Sequence, residues 1–397
     1  MLHLIVKAGQ GSKSVCDVVA SELGNTELAR HLISLGSVYR AVGTGNVRTM
    51  DPDVRVVEGQ YLRVHPNPRR YPADAIAWRD TVQFENDDLL ILNKPPGLPC
   101  CPTVDNQYEN VLQSVIRQFG LPEAFLPHRL DTDTTGLLIL TKNKKACAAV
   151  SSSLSNRSGV TKHYRALVAS EESESPLHVG QNLIHYLLAS SRSPKIFTKQ
   201  PYTPPAAAGS PSSPSVECLS RVVALSACRV STVAQWKQRA AVAAAAATTA
   251  TTSAAHAHLQ LALTEWFSSK AMDTSVTFQE VTLELTTGRT HQARGQLSSI
   301  GSGACHSNWH IAGDNNYAGV TTLPSSKIDG YRSSPFLALQ SAYLKLPLPS
   351  HKSPRTHYAA SPATSAGPSD AEMIEVRLPE PWWAPLVASV DQPDGQP

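Results

Sequence analysis

The sequence predicts a mixed helix-and-strand protein of more than one domain, and three observations carry that prediction. Near the amino terminus, SVCDVVASELG and TELARHLISLG place apolar residues at helical spacing. Farther on, LLIL in DDLLILNKPPG and LLILT after PHRLDTDTTG are apolar runs of buried-strand length, bounded by turn-forming residues. A chain of 397 residues is also too long for one ordinary core, which points to two or three domains.

Residues 1–72 read as a small module of helices and strands, whose second helix ends at Gly36, where a C-terminal cap belongs. VRVVEGQYLRVHPNPRR then alternates apolar and polar residues on both sides of an E-G turn and closes on Arg63, Arg69 and Arg70. A second region starts at residue 78. Its strand LLIL is stopped by Lys94, Pro95, Pro96 and Gly97, and a helix (NVLQSVIRQFG), a polar loop, the strand LLILT and the basic segment KNKKA follow. Between about 200 and 262 the chain becomes low in complexity, and TPPAAAGSPSSPS and AAVAAAAATTATTSAAHAH lack the apolar content of a core. VECLSRVVALSACRV, between those tracts, alternates like a core strand embedded in an insertion. SVTFQEVTLELTTGRTHQARGQLSSIG runs from a strand through a Gly turn into a helix, FLALQSAYLKLPLP is a further strand, and 351–397 is a flexible Ser/Pro/Ala-rich tail that includes EPWWAP.

The charge balance is nearly even: 35 basic and 32 acidic residues leave +3, so any nucleic acid would have to be held by local clusters. The seven cysteines are scattered, odd in number and without a C-x-x-C, which argues against a disulfide framework or a zinc ribbon and fits a reducing compartment. No window approaches the roughly 18–20 apolar residues of a membrane span, so a soluble chain is expected. MLHLIVKAGQGSKSV lacks the apolar stretch of a secretory signal and the Arg-rich length of a transit peptide.

Three polar clusters stand at the ends of apolar strands, where scaffolds usually carry functional groups. His128, Arg129 and Asp131, with Asp133, Thr134, Thr135 and Gly136, precede one strand. They read equally as a solvated loop with an Arg129–Asp131 surface pair, and Asp131 with Asp133 allows a glycosidase-like carboxylate pair. Lys162, His163, Tyr164 and Arg165 open another strand, in which Tyr164 is by default a half-buried aromatic. Arg289, Thr290, His291, Gln292 and Arg294 form the third, which also reads as a helix N-terminus with a polar face.

Together and in this order, the clusters resemble the RluA-type RNA pseudouridine synthases. DDLLILNKPPG is similar to that family's first motif, PHRLDTDTTGLLILTK to its second, KHYRALV to its Lys-x-Tyr segment, and TTGRTHQARGQL with AGDNNYAG to its third. The amino-terminal module resembles the αL-type RNA-binding domain that often precedes the catalytic one. ADAIAWRD, HYLLASSRSPK and the late PWW are similar to a plant and algal organellar branch, which implies chloroplast or mitochondrion, with cytoplasm as the alternative.

The resemblance implies an α+β catalytic domain over 78–350, built on a mixed, largely antiparallel sheet. It also implies an isomerase that converts uridine in ribosomal or transfer RNA to pseudouridine, as a monomer and without a cofactor. Asp131 matches the aspartate that acts on the ribose, Arg294 the arginine that keeps it ionised, and Tyr164 the tyrosine that stacks on the base. Arg129 matches the residue that fills the gap left by the flipped nucleotide, and His128, Lys162, Arg289, His291 and Gln292 fall around the substrate. Phosphate contacts are expected from Arg63, Arg69, Arg70, Lys142, Lys144, Lys145, Arg157, Lys162 and Arg165. Two departures stand out: Thr135 replaces the usual Ser, and SGACHSNWHIA lengthens the loop before Gly313 and Asp314. The lengthened loop motivates the alternative of an inactive RNA-binding or RNA-folding factor of the same fold.

Overall fold

Helix α1 (Val15–Leu23) begins where Ser14 and Asp17 cap each other reciprocally, and it stops at left-handed Gly24. Helix α2 (Thr26–Ser34) follows at once, with the Asn25 side chain accepting from the Leu28 N–H. Gly36, at φ 71°, turns the chain out of α2 where an added Cβ would lie 2.7 Å from the Gln107 Cβ. The computed structural model describes residues 1–7, 9, 13–157, 159–170, 175–190, 194–202, 214–229, 277–300, 309–314, 317, 327–328, 331–332, 337–349, 373–384 and 388–389. It divides into two units: the first comprises 1–78, 98–122 and 326–333, and the second 79–97, 123–325 and 334–397.

In the first unit, β1 (Leu2–Ile5), β2 (Val38–Val42), β3 (Gly45–Thr49) and β4 (Tyr61–Val64) form an antiparallel sheet in the order β1-β4-β2-β3. Val15, Val19, Leu32 and Ile33 from the helices meet Leu62 and Val64 in its core. The hairpin expected around the E-G turn forms only on its later arm. Val54 and Val56 bond to Val15 and Lys13 instead of to β4, because that earlier arm covers the approach to α1. Helix α3 (Val111–Phe119), capped by Asn110 and ended by left-handed Gly120, belongs to this unit. Arg63 lies over the Tyr39 ring, and Arg70 is locked on buried Glu109 at 2.6 Å.

The second unit is built on β5 (Val82–Glu85), β6 (Leu89–Lys94), β7 (Thr135–Thr141), β8 (Thr161–Ser170), β9 (Asn182–Leu187), β10 (Phe197–Thr198), β11 (Val216–Arg229), β12 (Thr277–Leu285) and β13 (His310–Ile311). A short hairpin, β14 (Lys327–Ile328) with β15 (Tyr331–Arg332), lies in the first unit, and β16 (Leu339–Pro347), β17 (Met373–Arg377) and β18 (Ala388–Ser389) complete the second. The main strand order is β10-β9-β11-β12-β8-β16-β7-β6-β5, antiparallel except where β16 runs parallel to β7. The α+β class with a mixed, largely antiparallel sheet is therefore the one the chain adopts. Every residue of β7 is buried, which is why TGLLILT reads as a continuous apolar run and not as an alternating one.

Three local expectations are revised. The segment KNKKA opens helix α4 (Lys144–Asn156), with the Asn143 side chain accepting from Ala146. Lys142, expected on RNA phosphate, sits 2.7 Å from the Glu85 carboxylate. Part of the tail expected to be flexible is built into the core: β17 pairs with β16, and Trp383 is fully buried with its indole N–H on Glu280 at 2.9 Å. Its apolar alternation and aromatic bulk give that stretch an area to bury that the Ser/Pro composition around it obscures. VECLSRVVALSACRV forms β11, while 230–262 and most of the lengthened loop, 301–308, lie outside the described residues.

Candidate active site

The strand β6 ends in Lys94, whose ammonium group is fully buried and donates to the carbonyls of Pro95, Thr132 and Thr134 at 2.8–3.0 Å. An ammonium in that position is compensated only if it keeps those acceptors, so it clamps the loop that carries Asp131. The next constraint is Gly136, at φ 105°. A Cβ there would lie 2.2 Å from the Ser341 carbonyl oxygen, so only glycine lets β7 and β16 approach in their parallel pairing. Thr135, where the resemblance implies Ser, keeps its hydroxyl on the Leu339 carbonyl at 3.2 Å.

A cavity of about 480 Å³ opens above this loop, and all nine sequence-predicted residues line it: His128, Arg129, Asp131, Lys162, Tyr164, Arg289, His291, Gln292 and Arg294. They come from the β7 approach, the start of β8, and the turn and helix after β12, which the strand order brings side by side. Tyr164 is half-buried in β8, opposite Leu283 on one side and Ser341 on the other. The outer wall is supplied by Ser151, Leu154, Ser155 and Arg157 at the end of α4.

The charged centre is Arg294, on helix α5 (Gln292–Ser298). Its Nε and Nη2 donate to the two oxygens of fully buried Asp314 at 2.7 Å each, and its Nη1 donates to Asp131 Oδ2 at 3.5 Å. Burial works against the Arg294 charge, but the hydrogen bonds and charge of Asp314, with Asp131 behind, hold its pKa above the ordinary value. Asp131 is partly open to the cavity, and its cationic partner is Arg294 rather than Arg129. The cavity thus holds a carboxylate beside a guanidinium that is itself locked on a second carboxylate.

The remaining residues divide into two sets. The Gln292 amide oxygen accepts from the Thr287 hydroxyl and the Arg289 N–H, and its NH₂ donates to the Leu219 carbonyl, so its amide organises the turn. His128 Nε2 accepts from the Ile139 N–H at 3.0 Å, and burial, helped by Lys162, drops its pKa to about 3. Burial also lowers the Lys162 pKa. Arg129, Arg157 and Arg289 are exposed at the cavity rim. The alternative of a helix with a polar face does not hold, because α5 is buried from Gln292 to Leu297, with Gln296 bonding Ser220, Leu183 and Cys218.

Sequence reasoning did not single out Lys94 or Tyr317, although both lie inside the quoted motifs. A lysine ending an apolar strand and a tyrosine three residues after Asp314 were the available signals. Among the described residues, no group of His, Cys, Asp and Glu side chains gathers as a metal site would.

The family model described as RNA pseudouridylate synthase matches residues 88–299 of this 397-residue chain. The chain is 32% identical over 140 residues to "RNA pseudouridine synthase 6, chloroplastic" of Arabidopsis thaliana, a match covering 35% of this chain and 28% of that protein. It is 35% identical over 133 residues to "Ribosomal large subunit pseudouridine synthase D" of Buchnera aphidicola, covering 32% of this chain and 42% of that protein. The chain therefore spans less than half the length of these curated relatives. The solved structure of "Human RNA Pseudouridylate Synthase Domain Containing 1" overlaps at a TM-score of 0.43 and 18% identity, over 78% of this chain and 88% of that one.

Proposed function

Because this chain belongs to the RNA pseudouridylate synthase family, we propose that its cavity isomerises uridine in RNA to pseudouridine, with Asp131 acting on the ribose. The observation that carries this reading is the pairing of Asp131 with an Arg294 that Asp314 already holds by two 2.7 Å bonds. Breaking the bond between ribose and base builds positive charge on the sugar, and an ionised carboxylate in a water-poor site stabilises it. A cavity of this volume suits a base taken out of its helix, with the half-buried Tyr164 ring as a stacking surface.

Arg157, Lys162 and Arg289 on the cavity wall supply contacts for the phosphates that flank the target nucleotide, and Arg129 at the rim fills the gap that the flipped nucleotide leaves. His128 and Gln292 act through the loops they hold. Residues 1–72 are the companion RNA-binding domain. The names of the relatives favour organellar and ribosomal RNA as the first substrates to try.

The test is release of tritium from RNA labelled at carbon 5 of uridine, with RNA affinity measured in parallel. Release by wild type and none by Asp131→Ala, at similar RNA affinity, supports the reading. Binding without release by either protein overturns it in favour of a binding or folding factor, and free uracil or an abasic product would indicate hydrolysis.

A further inference from the structure

Among the described residues only two that are not glycine have positive φ, Arg157 at 56° and His291 at 57°, and both line the same cavity. A left-handed backbone is costly for a side chain with a Cβ and is easily met by glycine. At His291 this conformation holds an imidazole between two groups. Its Nε2 lies 3.8 Å from Asp131 Oδ2, and its Nδ1 lies 3.2 Å from the Tyr317 hydroxyl.

The hydrogen-bond direction is fixed at one end of this line. The Lys195 backbone N–H can only donate, and it donates to the Tyr317 hydroxyl oxygen at 2.9 Å. That bond occupies one lone pair of the hydroxyl oxygen and leaves the phenol proton available to His291, and when the proton points there Nδ1 is the acceptor. In a neutral imidazole that puts the ring proton on Nε2, facing Asp131. Burial pushes the Tyr317 pKa up to about 12, so the phenol keeps the proton it donates. The Tyr317 ring is also fixed from its face by the Arg294 guanidinium, 5.4 Å from the ring centre.

We propose that Tyr317 is a positioning residue: with the Lys195 N–H behind it, its hydroxyl holds His291 as the neutral Nε2–H tautomer, whose proton faces Asp131. No proton moves along this line. In the free protein 3.8 Å is too long for a hydrogen bond, and the contact closes when substrate fills the cavity, giving Asp131 a second fixed donor besides Arg294. The catalytic part of this inference rests on the isomerase reading above, but the tautomer does not. The charged groups facing His291 are Asp131, Arg294, Asp314 and Lys195, and burial lowers its pKa against the pull of Asp131, so it is neutral near pH 7.

The experiment combines nitrogen NMR of labelled histidine with single-turnover tritium release, for wild type, Tyr317→Phe, His291→Gln and His291→Ala. Tyr317→Phe keeps the ring over Arg294 and deletes only the hydroxyl, and the His291 signal is assigned by its loss in His291→Gln. The expected result is an Nε2–H imidazole in wild type and mixed tautomers in Tyr317→Phe. That variant should turn over about tenfold slower at unchanged RNA affinity. His291→Gln, which keeps an N–H at the Nε2 position, should retain more activity than His291→Ala. An Nδ1–H imidazole in wild type overturns the proposal. Tyr317→Phe turning over at the wild-type rate overturns its role in the reaction. A wild type that releases no tritium counts against the isomerase reading alone, and the NMR result then still decides the tautomer.

Discussion

Asp314 grips Arg294 through two 2.7 Å bonds, and this grip aims the remaining nitrogen, Nη1, at Asp131. The two partners are among the most buried charges of the site, with side-chain exposures of 0% and 6%. A buried pair of this kind contributes little net stability, yet removing one member leaves the other charge uncompensated. Asp314→Asn should therefore destabilise the protein by about 3–5 kcal/mol. Denaturant unfolding reads this directly, and tritium release should fall with it because Nη1 is no longer held. Unchanged stability would mean that Arg294 is positioned by something other than Asp314.

Lys94 makes a separate prediction, because its ammonium holds the Thr132 and Thr134 carbonyls of the Asp131 loop while Lys94 itself does not line the cavity. Lys94→Met removes the donors and leaves buried carbonyls unmatched, at a cost of several kcal/mol. In protein that still folds at low temperature, turnover should drop with little change in RNA affinity. Rescue by Lys94→Arg is not expected, since the larger guanidinium does not fit a fully buried ammonium site.

At Gly136 an added methyl would strike the Ser341 backbone rather than a side chain that could move. Gly136→Ala should cost about 3 kcal/mol or more, through strain at positive φ and loss of the parallel β7–β16 contact. Thermal unfolding measures this, and a variant as stable as wild type would show that the two strands can separate freely.

Acid should weaken the fold through histidines that are held neutral. His128 falls from an ordinary 6.5 to about 3 through burial and Lys162, and His185 falls to about 4 through burial and Lys199. Between pH 6.5 and these values the unfolded chain takes up protons that the folded chain cannot hold. Stability contributed by these groups is thus complete above pH 6.5 and is lost as pH falls toward 3, at up to roughly 1.4 kcal/mol per group and pH unit. Urea unfolding at pH 7 and pH 4.5 tests the slope. His128→Gln, which keeps an acceptor for the Ile139 N–H, should flatten it.

RNA affinity should depend on rim cations and not on those already paired. Arg289→Ala should weaken binding and lower the salt slope by about 1, the signature of one lost phosphate contact. Lys142→Ala should change neither, because that ammonium is held by Glu85 at 2.7 Å. Equal effects from the two substitutions would place RNA on another face.

What could be read from the sequence was what is encoded over a few residues. Helical spacing and capping residues located α1, α2 and α3, and the apolar runs located β6, β7 and β16. The polar clusters at strand ends marked the walls of the cavity, and all nine residues drawn from them line it. Local misreadings arose where composition hid the pattern. KNKKA read only as a basic segment because its charge masked a helix start, and 373–384 looked like tail because Ser/Pro-rich sequence precedes it.

The sequence by itself determined the order of elements and the chemistry available at each strand end, because periodicity and turn propensity are local properties of the chain. Only the tertiary structure decided which distant groups meet. Asp131 and Arg294 are 163 residues apart, and Asp314 is another 20 beyond Arg294. Their meeting requires β8, β12, β16 and β7 to lie side by side in one sheet, an arrangement set by burial of whole strand faces. The same closure buries Lys94 under the Asp131 loop and sets Tyr317 against His291. Hydrogen-bond roles in the centre are decided there as well, because the direction of each bond depends on a partner that no nearby residue specifies.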